Sequence, residues 1–118
     1  MSRLAFFAAL AFAALAIPAH AQRNIELHAR TAGDLAQLCT ASPGQPASDA
    51  KINYCHGFAQ GVVDLTLMHE KPFCLPPGTS RKATLAEFAR WVGAEPQRQS
   101  AKAVTGLTQF LTQRYPCH

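Results

Sequence analysis

Cys39, Cys55, Cys74 and Cys117 are the four cysteines of this 118-residue chain, and they limit its fold sharply. An even number of cysteines in a small exported domain reads as two disulfide bonds. Four thiolates on one zinc ion would want close pairs such as C-x-x-C, and the chain contains none. The disulfide reading requires an oxidising compartment, so the N-terminus has to supply an export signal.

It carries the pattern of one. In "MSRLAFFAALAFAALAIPAHAQ" a single basic residue, Arg3, precedes an apolar run from Leu4 to Ile17, followed by Ala19-His20-Ala21. A short charged region, a hydrophobic stretch and a small-residue cleavage site make a secretory signal peptide. The run falls short of the roughly 20 residues that a membrane-spanning helix needs. The expected division is a signal peptide over residues 1–21, cleaved after Ala21, and a domain over 22–118. That places the mature protein in the periplasm, with no stable membrane insertion. The domain is long enough for one small core. Its charge is +3, ten Lys+Arg (eleven less Arg3) against seven Asp+Glu. These charges are scattered without a basic run or interleaved aromatics, which argues against nucleic-acid binding.

Four helical stretches are separated by Pro/Gly/Ser breaks. "TAGDLAQLC" has Thr31 as N-cap with Asp34 three residues on, and Leu35, Leu38 and Cys39 share a face. A second helix is expected from about Lys51 to His69. Its stripe of Cys55, Phe58, Val62 and Leu65 is extended by Ile52 and Met68. "KPFCLPPGTSRK" breaks it. The third helix shows a capping-box pattern from Thr84 to Glu87, buries Leu85, Phe88, Ala89 and Val92, and ends at Gly93. The fourth starts at Pro96, runs to about Arg114, and turns Ala101, Val104, Leu107, Thr108 and Leu111 inward. The fold class is therefore all-α, a small four-helix domain braced by two disulfides.

Helix geometry orders the pairing. Cys55 and His69 lie roughly 21 Å apart along one helix, so a Cys55–Cys74 bond would require the linker to double back. An antiparallel hairpin instead brings Cys39, ending the first helix, to Cys55, near the start of the second. Cys74 and Cys117 then meet across the third and fourth helices. Cys39–Cys55 and Cys74–Cys117 are favoured.

"NYCHGFAQGVVD", residues 53–64, sets Cys55 beside His56 in a way that suggests an active site. Adjacent helical residues point about 100° apart, however, and a disulfide would consume the thiol. The chain has no C-x-x-C-H haem motif, no H-E-x-x-H and no paired catalytic acids, so no catalytic residue, metal ligand or cofactor is assigned. Gly57 and Gly61 each cost a helix about 0.5–1 kcal/mol relative to alanine. On one face, flanking Phe58, they suggest close approach of another backbone, either within the domain or from a partner. His56, Gln60, Val63 and Leu67 form a mixed face beyond what a four-helix core requires, and Asp64, on the side of Gly57 and Gly61, either bonds to a neighbouring helix or faces a partner. These five are the candidate partner-facing residues.

The order of these pieces carries a resemblance. A helix with Cys55, Gly57, Phe58 and Gly61, then "FCLPPGTS", a short helix, an "EP" helix start and a terminal "YPC" together resemble the Rap/Tai family of immunity proteins of type VI secretion, from about Leu35 to Cys117. The resemblance implies a helical, disulfide-bonded periplasmic protein that binds a cognate secreted effector, a cell-wall amidase, and blocks its active site without catalysis. It also implies a homodimer. The competing class is a periplasmic stress chaperone without a toxin partner, which two disulfides oppose because such proteins act by loosening.

Overall fold

The computed structural model describes residues 26–118; the expected signal peptide and its cleavage after Ala21 lie outside them. The architecture is all-α, with helices α1 (Ala32–Cys39), α2 (Pro46–His69), α3 (Arg81–Ala94), α4 (Pro96–Ser100) and α5 (Ala103–Arg114). Among the described residues the one extended pairing is an isolated bridge between Thr31 and Lys102.

Short α1 is the hub, packing against all four other helices. Its start is fixed by the expected capping box. The Thr31 hydroxyl accepts from the Asp34 N–H at 3.1 Å, and the Asp34 carboxylate accepts from the Thr31 N–H at 2.9 Å. The Thr31 N–H and hydroxyl hold the Asp34 carboxyl below its ordinary value; burial opposes them, and the Arg30 N–H adds a smaller lowering. Leu35 and Leu38 then enter the core with Val62, Phe73, Phe88, Val92, Leu107, Phe110 and Leu111. Burying each such side chain contributes about 1.5–3 kcal/mol before the entropic cost of ordering it.

Both expected disulfides are present. Cys39–Cys55 ties the end of α1 to α2, and Cys74–Cys117 ties the loop after α2 to the C-terminal tail. That loop is held from three directions. Lys71, at φ 46°, and Pro72 turn the chain away from α2, Phe73 is fully buried, and the Cys74 N–H donates to the Tyr115 carbonyl at 2.8 Å. Pro76-Pro77-Gly78-Thr79 closes as a turn, with the Thr79 N–H donating to the Pro76 carbonyl at 3.2 Å and Gly78 at φ 80°. Proline followed by a left-handed glycine is what such a turn requires.

Three boundaries differ from the sequence reading. First, α2 begins at Pro46 rather than near Lys51, using Pro46 as its first residue. Second, α3 begins at Arg81 under an Ser80 cap, so Thr84 and Glu87 are interior residues rather than a cap pair. The Thr84 hydroxyl meets the Tyr115 hydroxyl at 2.9 Å, and Glu87 accepts from Arg114 at 2.7 Å. That contact lowers the Glu87 pKa and raises that of Arg114.

Third, the expected last helix is two. The chain is extended at Ala101 and Lys102, where the Ala101 carbonyl accepts from the Ala32 N–H at 2.8 Å and the Ala103 N–H donates to the Arg30 carbonyl at 3.0 Å. The break satisfies an orphan donor at the start of α1. It also shifts the register of α5. Ala103, Gly106, Leu107, Phe110 and Leu111 are buried, whereas Val104 is 52% exposed.

Candidate functional site

Helix α2 packs on α1 and α5, and α3 packs on α1, α4 and α5, leaving a cleft between α2 and the start of α3. Leu107 and Leu111 of α5 and Leu85 of α3 line its floor; Ala59 and Val63 of α2 and Leu75 and Thr79 of the loop line its walls. The cavity is about 160 Å³, mostly apolar and open to solvent.

Across its mouth runs a polar strap. The Gln60 side-chain amide donates to Asp64 Oδ1 at 2.7 Å and accepts a short hydrogen bond from Arg81 Nη2. The i,i+4 spacing of Gln60 and Asp64 makes the first contact a helix-surface pair. The second joins α2 to the first residue of α3, where neither backbone reaches the other.

Of the five candidate partner-facing residues, Gln60 and Val63 line the groove and Asp64 holds its strap. Leu67 is half-buried against the core, and His56 is half-buried on the same helix without lining the groove. Sequence reasoning missed Arg81, Leu75 and Thr79. The signal for Leu75 and Thr79 was "LPPGTS", read as a helix break and as part of the family resemblance: its turn folds both onto the cleft, whereas Arg81, just beyond it, had no such signal.

The glycine motif requires correction as an internal helix contact. A Cβ added at Gly57 or Gly61 would meet nothing within 4 Å, and both residues are exposed. Phe58 is half-buried, stacked near Tyr54 with ring centroids 6.3 Å apart. The inward face of α2 is set instead by Cys55, Ala59 and Val62. Leu65 and Met68, expected in the stripe, are 60% and 79% exposed because they lie off the arc of Cys55, Ala59 and Val62, which Val63 and Leu67 continue against the core.

The tight helix contacts lie elsewhere. A Cβ at Gly106 would sit 2.7 Å from the Cβ of Ala32, and one at Gly33 would sit 3.1 Å from the Gln99 carbonyl oxygen. Gly57→Ala with Gly61→Ala is accordingly expected to raise stability by about 1–2 kcal/mol, since alanine gains helix propensity without a clash. Urea unfolding checks this, and a lowered midpoint would mean that the face is packed after all.

The model of the Rap1a immunity proteins matches residues 31–117, spanning both disulfides, the groove and the strap. The chain belongs to the Rap1a immunity protein family. Membership points to immunity against a type VI effector as its role. No curated protein and no solved structure matches the chain.

In this Rap1a-family domain, the described residues contain no group of three or more His, Cys, Asp or Glu side chains placed to hold a metal ion, and no helix long and apolar enough to cross a membrane. All four cysteines are paired, so the thiol beside His56 is a disulfide sulfur. What the arrangement offers chemically is a braced surface with one apolar recess and a guanidinium at its edge.

Proposed function

We propose that this protein is a periplasmic immunity protein that binds a cognate type VI effector of the cell-wall amidase type and inhibits it by steric occlusion, without catalysis. The match to the Rap1a immunity proteins over residues 31–117 carries the reading. Two disulfides and an N-terminal sequence patterned for export support a periplasmic domain. Residues 1–21 are removed on export in this reading, leaving 22–118 as the mature domain.

A surface held by two cross-links loses little freedom when a partner binds, so more of the contact energy appears as affinity. A net positive charge also favours encounter with an acidic effector.

Where a toxin gene adjoins this one, the deciding experiment sends that toxin to the periplasm, with and without this protein. Protection from lysis is expected, and unchanged lysis despite good expression removes the proposal for that pair. Occlusion further predicts that inhibition of the purified amidase saturates at one equivalent. Complete inactivation by a small fraction of an equivalent would show turnover and end the non-catalytic reading. The homodimer belongs to the same proposal, and sedimentation equilibrium decides it: a single-chain mass at every concentration removes it.

A further inference from the structure

The groove between α2 and α3 combines two features that neither folding nor the disulfides require. Its recess is lined mostly by apolar side chains yet stays open, and at about 160 Å³ it has room for a benzene-sized group. That is room for one leucine, methionine or phenylalanine side chain.

Beside it stands Arg81. The ion pairs among the described residues are Arg98–Glu95 and Arg114–Glu87, so Arg81 has no carboxylate. Its side-chain contact is one donation to Gln60, out of five N–H donors. Gln60 is itself fixed by Asp64, so the guanidinium is held at the mouth with most of its fork unused. A positioned, unpaired guanidinium favours a carboxylate, which it binds through two parallel hydrogen bonds.

We infer that this groove is the anchor point for the effector: one large apolar side chain of an extended effector segment fills the recess between Val63, Leu75 and Leu107, and an adjacent effector carboxylate binds Arg81. Charge complementarity selects this occupant. The strap presents its free cation on the α3 side, in a domain with net positive charge. An anchored side chain in a desolvated pocket beside a bidentate arginine is the arrangement in which interface energy concentrates. This inference rests on the immunity reading and specifies the surface through which it acts.

The test measures, by calorimetry with the full mature protein, binding of the purified amidase from which this protein protects cells. Arg81→Glu reverses the charge at an exposed first residue of α3, where a carboxylate suits the helix dipole, so the fold is retained. Gln60→Trp fills the mouth from a half-buried position; Met68→Gln, on the open face of α2, is the control. Each of the first two is expected to raise Kd by about thirtyfold or more, with the control unchanged. Unchanged thermal midpoints confirm folding, and Arg81→Glu decides alone if Gln60→Trp unfolds. Wild-type affinity in a folded Arg81→Glu variant overturns the groove and leaves the immunity role standing. A wild-type protein that does not bind the amidase overturns that role, and this inference with it. Loss of a homodimer in Arg81→Glu with effector binding intact would assign the groove to a second copy and overturn the inference.

Discussion

Replacing Cys39 and Cys55 together by alanine is expected to lower the stability of the domain by about 3 kcal/mol. The bond closes a loop of sequence separation 16, and its removal returns that much chain entropy to the unfolded state. Cys55 is also fully buried, so alanine leaves a small void beneath α1 in addition. Replacing Cys74 and Cys117 opens a separation of 43, for which the same reasoning gives about 4 kcal/mol, with no void because both cysteines are exposed. Domains of this size have net stabilities of roughly 5–15 kcal/mol, so either change removes a large share. Urea unfolding of both pairs measures it, and losses below about 1 kcal/mol would show that packing alone sustains the fold.

The two bonds also differ in access, which sets an order of reduction. Mild thiol should open Cys74–Cys117 first, because both its cysteines are exposed, whereas Cys55 is buried and Cys39 half-buried. Trapping with an alkylating reagent and peptide mass mapping reads the order directly. Opening Cys74–Cys117 frees the residue next to Leu75, a wall of the groove, so the brace and the groove are mechanically joined.

These contrasts show what was legible in the sequence. Capping and cysteine spacing are local or nearly local signals, so Thr31, Asp34 and both disulfides could be placed without coordinates. Periodicity was less informative. The three- and four-residue steps from Cys55 through Val62 and Leu65 to Met68 drift around α2, so Met68 ends about 140° from Cys55, and the spacing alone does not say where the buried arc stops. The break at Ala101–Lys102 has neither proline nor glycine to announce it. It exists because the start of α1, some seventy residues earlier, requires an acceptor there. Arg81 was illegible for the same reason: its role depends on Gln60 lying across the cleft, a contact 21 residues away in sequence. Spacing also placed Gly57 and Gly61 on one face without saying which way that face pointed.

The glycine that a close crossing does require is Gly106, and Gly106→Val is expected to cost about 2–3 kcal/mol. Its Cβ would stand 2.7 Å from that of Ala32, itself fully buried, and neither atom can rotate away because a Cβ is fixed by its backbone. The crossing of α1 and α5 must widen, loosening Leu35 and Leu107 together. Gly106 on α5 facing Ala32 on α1 makes the close crossing, while Gly33, next along α1, lies against Gln99 of α4 instead. Gly106→Ala divides the terms. It gains about 0.8–1 kcal/mol of helix propensity and meets the same clash, so it should fall well short of the gain expected at Gly57 and Gly61. Ala32→Gly removes the opposing Cβ. In that background Gly106→Ala should recover the propensity gain, giving a coupling of about 1 kcal/mol in a double-mutant cycle. Additivity of the two changes would mean that the helices do not touch there, and the close crossing of α1 and α5 would have to be abandoned.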